Sequence, residues 1–284
     1  MAELDLALRE GVDRLRGLAD HPLSSHAFPS LFLWREQLGL EIVLREDCFA
    51  VRAAKRGANA WFFPCGGEGG KLAFFAAHGG EPGLELFYLR PEDAAWLRDR
   101  FPGRWEIFRR PEGDEYLYER ASHVEMAGGE FRHLRWRVHR IERELVPRTR
   151  VLDRESAVDA RYVLDAWSSA HPGGGADDRM VALRALEHWE ALGLRGVVVY
   201  LAERPAAFML GFPLSEETFD AAVGKCAVDV QGLTYYVLRE LMLSLPGRYR
   251  WFNLEEDLGL PGLRAMKEHF LPDGRHEMWG ARRL

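Results

Sequence analysis

The sequence predicts an α/β protein with mixed sheets, built as a tandem duplication, and three observations predict it. In each half a helical stretch ends on Leu-Gly-Leu and runs into a β-branched segment: Leu38-Gly39-Leu40 before residues 41–45, and Leu192-Gly193-Leu194 before residues 196–203. Glycine just past a helix, followed by strand formers, is a C-cap leading into a strand. A second pattern also occurs twice: an apolar strand, a proline-started helix, then proline, Gly-Arg and another strand. It covers residues 86–89, 91–100, Pro102, Gly103-Arg104 and 105–110, and again 251–254, 261–270, Pro272, Gly274-Arg275 and 276–281. Repeated anchors in the same order read as a duplicated domain. The chain, at 284 residues, is long enough to bury a core in each copy.

In order, the first copy reads as strands at 41–45, 48–53 and 60–64, a helix within 69–78 and a strand at 84–89, before the repeated helix and strand. A helix at 131–145 links the copies. The second copy reads as helices at 158–169 and 180–192, then a hairpin, 197–202 with 206–212, turning at Arg204-Pro205. A third strand at 218–226, a helix at 233–245, a strand at 249–254, a helix at 261–270 and a last strand from His276 complete it. Two helices, an antiparallel strand trio, helix, strand, helix, strand is the order of a GNAT-type N-acyltransferase domain. The second copy resembles that plan closely and the first more loosely. The expected domains are therefore 1–145, including the linker helix 131–145, and 146–284.

Composition narrows the function classes. No run approaches the roughly 18 apolar residues of a membrane helix, and the start, Met1-Ala2-Glu3-Leu4-Asp5, is acidic. A cytoplasmic protein without an integral membrane segment is expected. Cys48, Cys65 and Cys226 lack metal-type spacing and read as buried free thiols, so no metal site is expected. A net charge of −6 disfavours a general nucleic-acid binder but leaves room for a local basic patch. Such a patch exists on the linker helix. Phe131, Leu134, Val138, Ile141 and Leu145 form its apolar stripe, flanked by Arg132, Arg135, His139 and Arg143 on one side and Arg137 and Arg140 on the other. Residues 131–143 are either a solvated helix face or an anion-binding surface where tRNA or phospholipid phosphates dock.

The densest chemistry lies in Asn253-Leu254-Glu255-Glu256-Asp257-Leu258-Gly259-Leu260-Pro261-Gly262-Leu263-Arg264-Ala265-Met266-Lys267. A strand ends in three carboxylates, passes Gly and Pro, and enters a helix carrying Arg264 and Lys267. Rigidly held loops of this kind are where α/β proteins place catalytic groups. Together with residues 114–118, residues 129–141 with Phe131 and Arg135, Gly224-Lys225 and Gly232, this motif resembles the C-terminal domain of phosphatidylglycerol lysyltransferases and the stand-alone bacterial proteins of unknown function grouped with it. The likeness runs from Phe28 to the last strand. It implies a tandem GNAT-like fold and, for the membrane-bound relatives, transfer of an aminoacyl group from aminoacyl-tRNA to a lipid.

Acyl transfer needs oxyanion-stabilising donors, a route for the acceptor's proton and a slot for the activated acyl group. In a GNAT-like sheet the slot opens where the fourth and fifth strands splay, here near Lys225-Cys226 and Asn253-Leu254-Glu255. Asp257 and Glu256 are the candidate catalytic carboxylates. Lys225, Asn253, Arg264, Lys267, Gly232 and Arg135 are the candidate substrate-binding residues. The alternative for Asp257 is an ion pair with Arg264 that orients the helix.

Coenzyme A is the usual acyl carrier for this fold and sits on a Gly-rich loop before the helix that follows the fourth strand. In residues 226–234 only Gly232 of that loop remains, and Asp229 adds a negative charge. Acyl-CoA is thereby disfavoured as donor, leaving aminoacyl-tRNA beside it. Residues 65–71 are Gly-rich at the equivalent place in the first copy but lack a Walker-type ending and read as a turn. The Gly-rich stretch 171–176 reads as a connector or a lid. The leading function is a GNAT-type transferase moving an aminoacyl or acyl group to a small amine, hydroxyl or peptide. The alternatives are a non-catalytic module of the same fold that binds an amino acid or peptide, and a scaffold with a vestigial site.

Overall fold

The computed structural model describes residues 1–171 and 176–284. Its first elements are β1 (Ala2–Glu3), α1 (Arg9–Leu18), α2 (Phe28–Leu38), β2 (Leu40–Leu44), β3 (Cys48–Ala53), β4 (Ala60–Phe62) and β5 (Cys65–Gly66). Next come α3 (Glu68–His78), β6 (Glu85–Leu89), α4 (Pro91–Arg100), β7 (Trp105–Arg109), β8 (Glu115–Glu119), α5 (Arg120–Glu125) and α6 (Arg132–Leu145). The chain continues through β9 (Arg148–Val151), α7 (Arg154–Ala170), α8 (Ala176–His188), β10 (Arg195–Leu201), β11 (Arg204–Pro213) and β12 (Thr218–Cys226). It ends with α9 (Leu233–Ser244), β13 (Trp251–Asn253), α10 (Pro261–His269), β14 (Gly274–His276) and β15 (Trp279–Arg283).

Two compact units result. The first comprises Met1–Glu115, Glu256–Arg264 and Arg275–Leu284, and the second Tyr116–Glu255 and Ala265–Gly274. The first sheet runs β1-β2-β3-β4-β6-β15-β7, with β5 also on β3, and the second runs β9-β10-β11-β12-β13-β8-β14. Both follow one plan. Three antiparallel pairings lead to a single parallel one, β4 with β6 in the first sheet and β12 with β13 in the second. An antiparallel strand then follows in each. Leu38-Gly39-Leu40 and Leu192-Gly193-Leu194 lead into β2 and β10, the second strand of each sheet, with Gly39 and Gly193 both in the left-handed region at φ +60° and +62°. Gly39 donates its N–H to the carbonyls of Arg35 and Glu36, ending α2 as a C-cap glycine does. The fold class is therefore mixed α/β, with two mixed sheets built on one plan.

Three features differ from the sequence expectation. Residues 276–281 are not one strand, because Gly274–His276 lies in the second sheet and Trp279–Arg283 in the first. Contacts distant in sequence hold the break: Asp114 accepts the N–H of Met278 at 2.8 Å and Arg109 donates to its carbonyl at 2.7 Å. Correspondingly, β8 belongs to the second sheet, so a cut at 145/146 would part both β8 and β15 from their sheets. The hairpin turns at Ala202-Glu203, not Arg204-Pro205, since Leu201 pairs with Arg204. Both turn residues have positive φ, 46° and 63°, as a tight type I′ hairpin requires, yet neither is the Gly or Asn that would announce it.

Helix α6 packs its stripe into the core of the second unit, where Phe131, Leu134, Val138 and Ile141 join Leu238, Leu241 and Phe252. Burial of each such side chain stabilises by about 1.5–3 kcal/mol. The first unit has its own core around Trp61, Phe63, Phe75, Leu86 and Leu97. Among the described residues no helix is long and apolar enough to cross a membrane.

Candidate functional site

In the second unit β12 and β13 pair in parallel from Thr218↔Trp251 to Asp220↔Asn253, and there β13 ends. Strand β12 continues to Cys226. The sheet thus opens beyond Asn253, and Lys225 lies five residues further along β12, roughly 16 Å at ~3.3 Å per residue. Asn253 marks the closed end of this opening and Lys225 the far end. They do not converge on one atom.

Lys225 is nearly enclosed. Its ammonium donates to the Asp178 carboxylate at 3.0 Å and the Gly224 carbonyl at 3.1 Å, and sits 4.8 Å from the centre of the Trp167 ring. Cation, carboxylate and aromatic face together hold the head group in place. Asp178 and Trp167, on α8 and α7, are partners that sequence reasoning missed, since each reads as an ordinary helical residue. The adjoining Gly-rich stretch at 172–175, read as a connector or a lid, lies outside the described residues.

Asn253 is fully buried, its amide oxygen accepting the Glu255 N–H at 2.7 Å. Gly232 precedes α9 at φ +93°, and a Cβ there would come within 2.8 Å of the Arg137 Cβ. Both the backbone angle and this close approach require glycine. Burial pushes the Cys226 thiol up, partly offset by the Thr234 hydroxyl. Lys267 is buried and donates to the carbonyls of Leu254 at 2.5 Å and Glu255 at 2.9 Å, tying α10 to the end of β13. Arg135 donates to the carbonyls of Met126 and Gly128, so it caps the chain after α5. On the outer face of α6, Trp136 is half exposed with the Arg140 guanidinium 5.2 Å from its ring centre.

Glu256, Asp257 and Arg264 belong to the first unit. The Asp257 carboxylate is only 1 % exposed. It accepts from Arg264 Nε at 2.8 Å and Nη2 at 3.1 Å, and from the Gly259 N–H at 2.8 Å. That two-toothed pair plus a local turn anchors the start of α10. Glu256 accepts the Tyr88 hydroxyl at 3.2 Å and lines a cavity of about 390 Å³. Among the described residues no set of three or more His, Cys, Asp or Glu is placed to hold a metal ion.

The phosphatidylglycerol lysyltransferase C-terminal family model matches residues 16–282. No curated protein sequence matches the chain. Among solved structures, a conserved protein of unknown function from Bacteroides thetaiotaomicron superposes with a TM-score of 0.89 at 21 % identity, covering 99 % of this chain and 98 % of that one. L-PGS from Bacillus licheniformis gives 0.69 at 18 %, covering 99 % and 93 %. The C-terminal domain of a lysylphosphatidylglycerol synthetase from Agrobacterium fabrum gives 0.66 at 16 %, covering 98 % and 92 %. At these identities the likeness establishes the fold.

Proposed function

The chain belongs to the phosphatidylglycerol lysyltransferase C-terminal family, and from that premise we propose that it is an aminoacyl- or acyltransferase whose activated acyl group lies in the opening between β12 and β13. The observation that carries this reading is the three-residue pairing of those strands, with β12 running on to an enclosed Lys225. The opening is long enough for an ester or thioester arm. Its β12 edge offers backbone N–H groups beyond the paired register, and Lys225 adds a fixed positive charge. Donors held in this way stabilise a tetrahedral oxyanion without reorganising.

The reaction is acyl substitution. An amine or hydroxyl attacks the carbonyl carbon, the new C–N or C–O bond forms, and the tRNA 3′ oxygen or the thiol leaves with the proton lost by the acceptor. Aminoacyl-tRNA is the favoured donor, because Asp229 is exposed near the start of α9, where a coenzyme A pyrophosphate would meet its charge. The basic outer face of α6 around Trp136 and Arg140 suits tRNA phosphates and bases. The acceptor is a small amine, hydroxyl or peptide. Within the first unit Asp257 and Arg264 hold the loop that carries Glu256 in position.

Thermal-shift titration with acyl-CoA and with a non-hydrolysable aminoacyl-adenosine tests the reading. A donor at 100 times its Kd adds about 2.7 kcal/mol of stability. The aminoacyl-adenosine is expected to raise Tm, and Lys225→Met to abolish that rise. An equal rise in Lys225→Met would remove the slot assignment. Binding without turnover would favour a binding module for an amino acid or peptide.

A further inference from the structure

The first unit contains a cavity of about 390 Å³ beside β6, and its lining is unusual in one respect. Phe87 and Tyr88 are consecutive strand residues, yet both face it. In a regular strand neighbouring side chains point to opposite faces. Here the register against β15 slips, from Ala281↔Leu86 to Trp279↔Leu89, so Phe87 and Tyr88 together oppose Gly280. Tyr88 also takes a left-handed backbone angle, φ +58°. A bulky residue in that region costs on the order of 1–3 kcal/mol, and a bulge that re-aims a side chain is a recurrent feature of ligand sites.

Charges of both signs surround the two rings. The Arg56 and Arg110 guanidinium carbons lie 5.0 Å and 4.7 Å from the centre of the Phe87 ring. Arg56 donates to the Tyr88 hydroxyl at 3.0 Å, and that hydroxyl donates to Glu256 at 3.2 Å. Arg110 donates to Glu112 at 3.1 Å and lies 3.7 Å from Glu85. A simple anion entering the cavity meets three carboxylates, and a simple cation meets two guanidinium groups. A molecule bearing one charge of each sign satisfies both sets.

We propose that this cavity binds a small zwitterion, a molecule with a free ammonium and a free carboxylate of the size of an amino acid or dipeptide. Its carboxylate lies against Arg56 and Arg110, and its ammonium against Glu256 and Glu85. The volume falls in the ordinary range for small-molecule pockets, roughly 300–1,000 Å³. The site stands on the first unit alone and is independent of the transfer reading.

Isothermal titration of the full chain, without any donor, tests the proposal. The probes are the twenty protein amino acids one by one, L-alanyl-L-alanine, and propionate and ethylamine as single-charge controls. At least one zwitterion should bind ten times more tightly than either control. Alanine against the dipeptide then distinguishes a free amino acid from a peptide as the source. Arg110→Gln and Glu256→Gln should each weaken that ligand at least tenfold while the circular dichroism spectrum is unchanged. Tyr88→Phe, which keeps the ring and deletes the hydroxyl linking Arg56 to Glu256, should weaken it less. Absence of binding by every zwitterion, equal binding of propionate or ethylamine, or full affinity in both charge variants would overturn the proposal.

Discussion

Removing Arg264 asks whether Asp257 is held for structure. In Arg264→Gln the Asp257 carboxylate stays in a position only 1 % exposed but loses its guanidinium. Two charge-assisted hydrogen bonds, at 2.8 and 3.1 Å, disappear. Each such bond contributes about 1.5–3 kcal/mol when fully shielded. Arg264 itself is 48 % exposed, so water screens the pair, and the expected loss falls to about 2 kcal/mol. Asp257→Asn keeps an oxygen for the Gly259 N–H but turns an amide N–H toward the guanidinium, for a similar loss. At about 2–4 °C per kcal/mol, each variant should melt roughly 4–8 °C below wild type. The assay is a circular dichroism melt, with the double variant closing the cycle. Losses smaller in the double variant than the sum of the singles mark a coupled pair. If either single variant melts within about 1 °C of wild type, the pair does not anchor the loop and the positioning role assigned to it is wrong.

Burial depresses His26 to about 4, and its ring meets the Phe63 carbonyl at 2.8 Å. The unfolded chain takes up a proton near 6.5 and the folded one only near 4, so this stability is present above about 6.5 and falls as pH drops toward 4, by about 3 kcal/mol in all. Melts from pH 7 to 4 should show that slope, and His26→Gln should flatten it; equal slopes would contradict the assignment. Burial likewise pushes the Cys48 and Cys65 thiols up to about 12, so neither should react with a thiol reagent at pH 8 until the protein unfolds. Rapid modification of the native protein at either cysteine would show the burial to be wrong. Gly211→Ala places a Cβ within 1.7 Å of the Asp220 carbonyl oxygen and should cost about 3 kcal/mol or more, whereas Gly17→Ala meets nothing within 4 Å and should be neutral or better. Comparable melting of the two alanine variants would remove the close contact between β11 and β12.

What sequence reveals about this fold is local. Strand Cys48–Ala53, helix Pro91–Arg100 and strand Thr218–Cys226 are all legible with the limits they have in the structure, because periodicity, a proline at a helix start and β-branched runs are local signals. The division of residues 274–283 between two sheets was not, because Asp114 and Arg109 impose it from far along the chain. The site divides in the same way. Lys225 and the charged loop stand out as residues, but Asp178 and Trp167 reach Lys225 only once α7 and α8 are folded against β12. The left-handed turn of Tyr88 has no glycine to announce it. It follows from the pairing of β6 with a strand almost 200 residues away.

The most direct test of the transfer reading is the release of a labelled acyl group under single-turnover conditions. Wild type and Lys225→Met are compared with charged tRNA pools and acyl-CoA as donors and a panel of amines, hydroxyl compounds and short peptides as acceptors. The expected result is transfer from aminoacyl-tRNA by wild type, slowed about 100-fold in Lys225→Met, the size of effect that follows loss of one oxyanion donor. Equal rates in the two proteins would contradict the role of Lys225 at the opening between β12 and β13. No transfer from any donor, with the fold intact, would contradict the transferase itself.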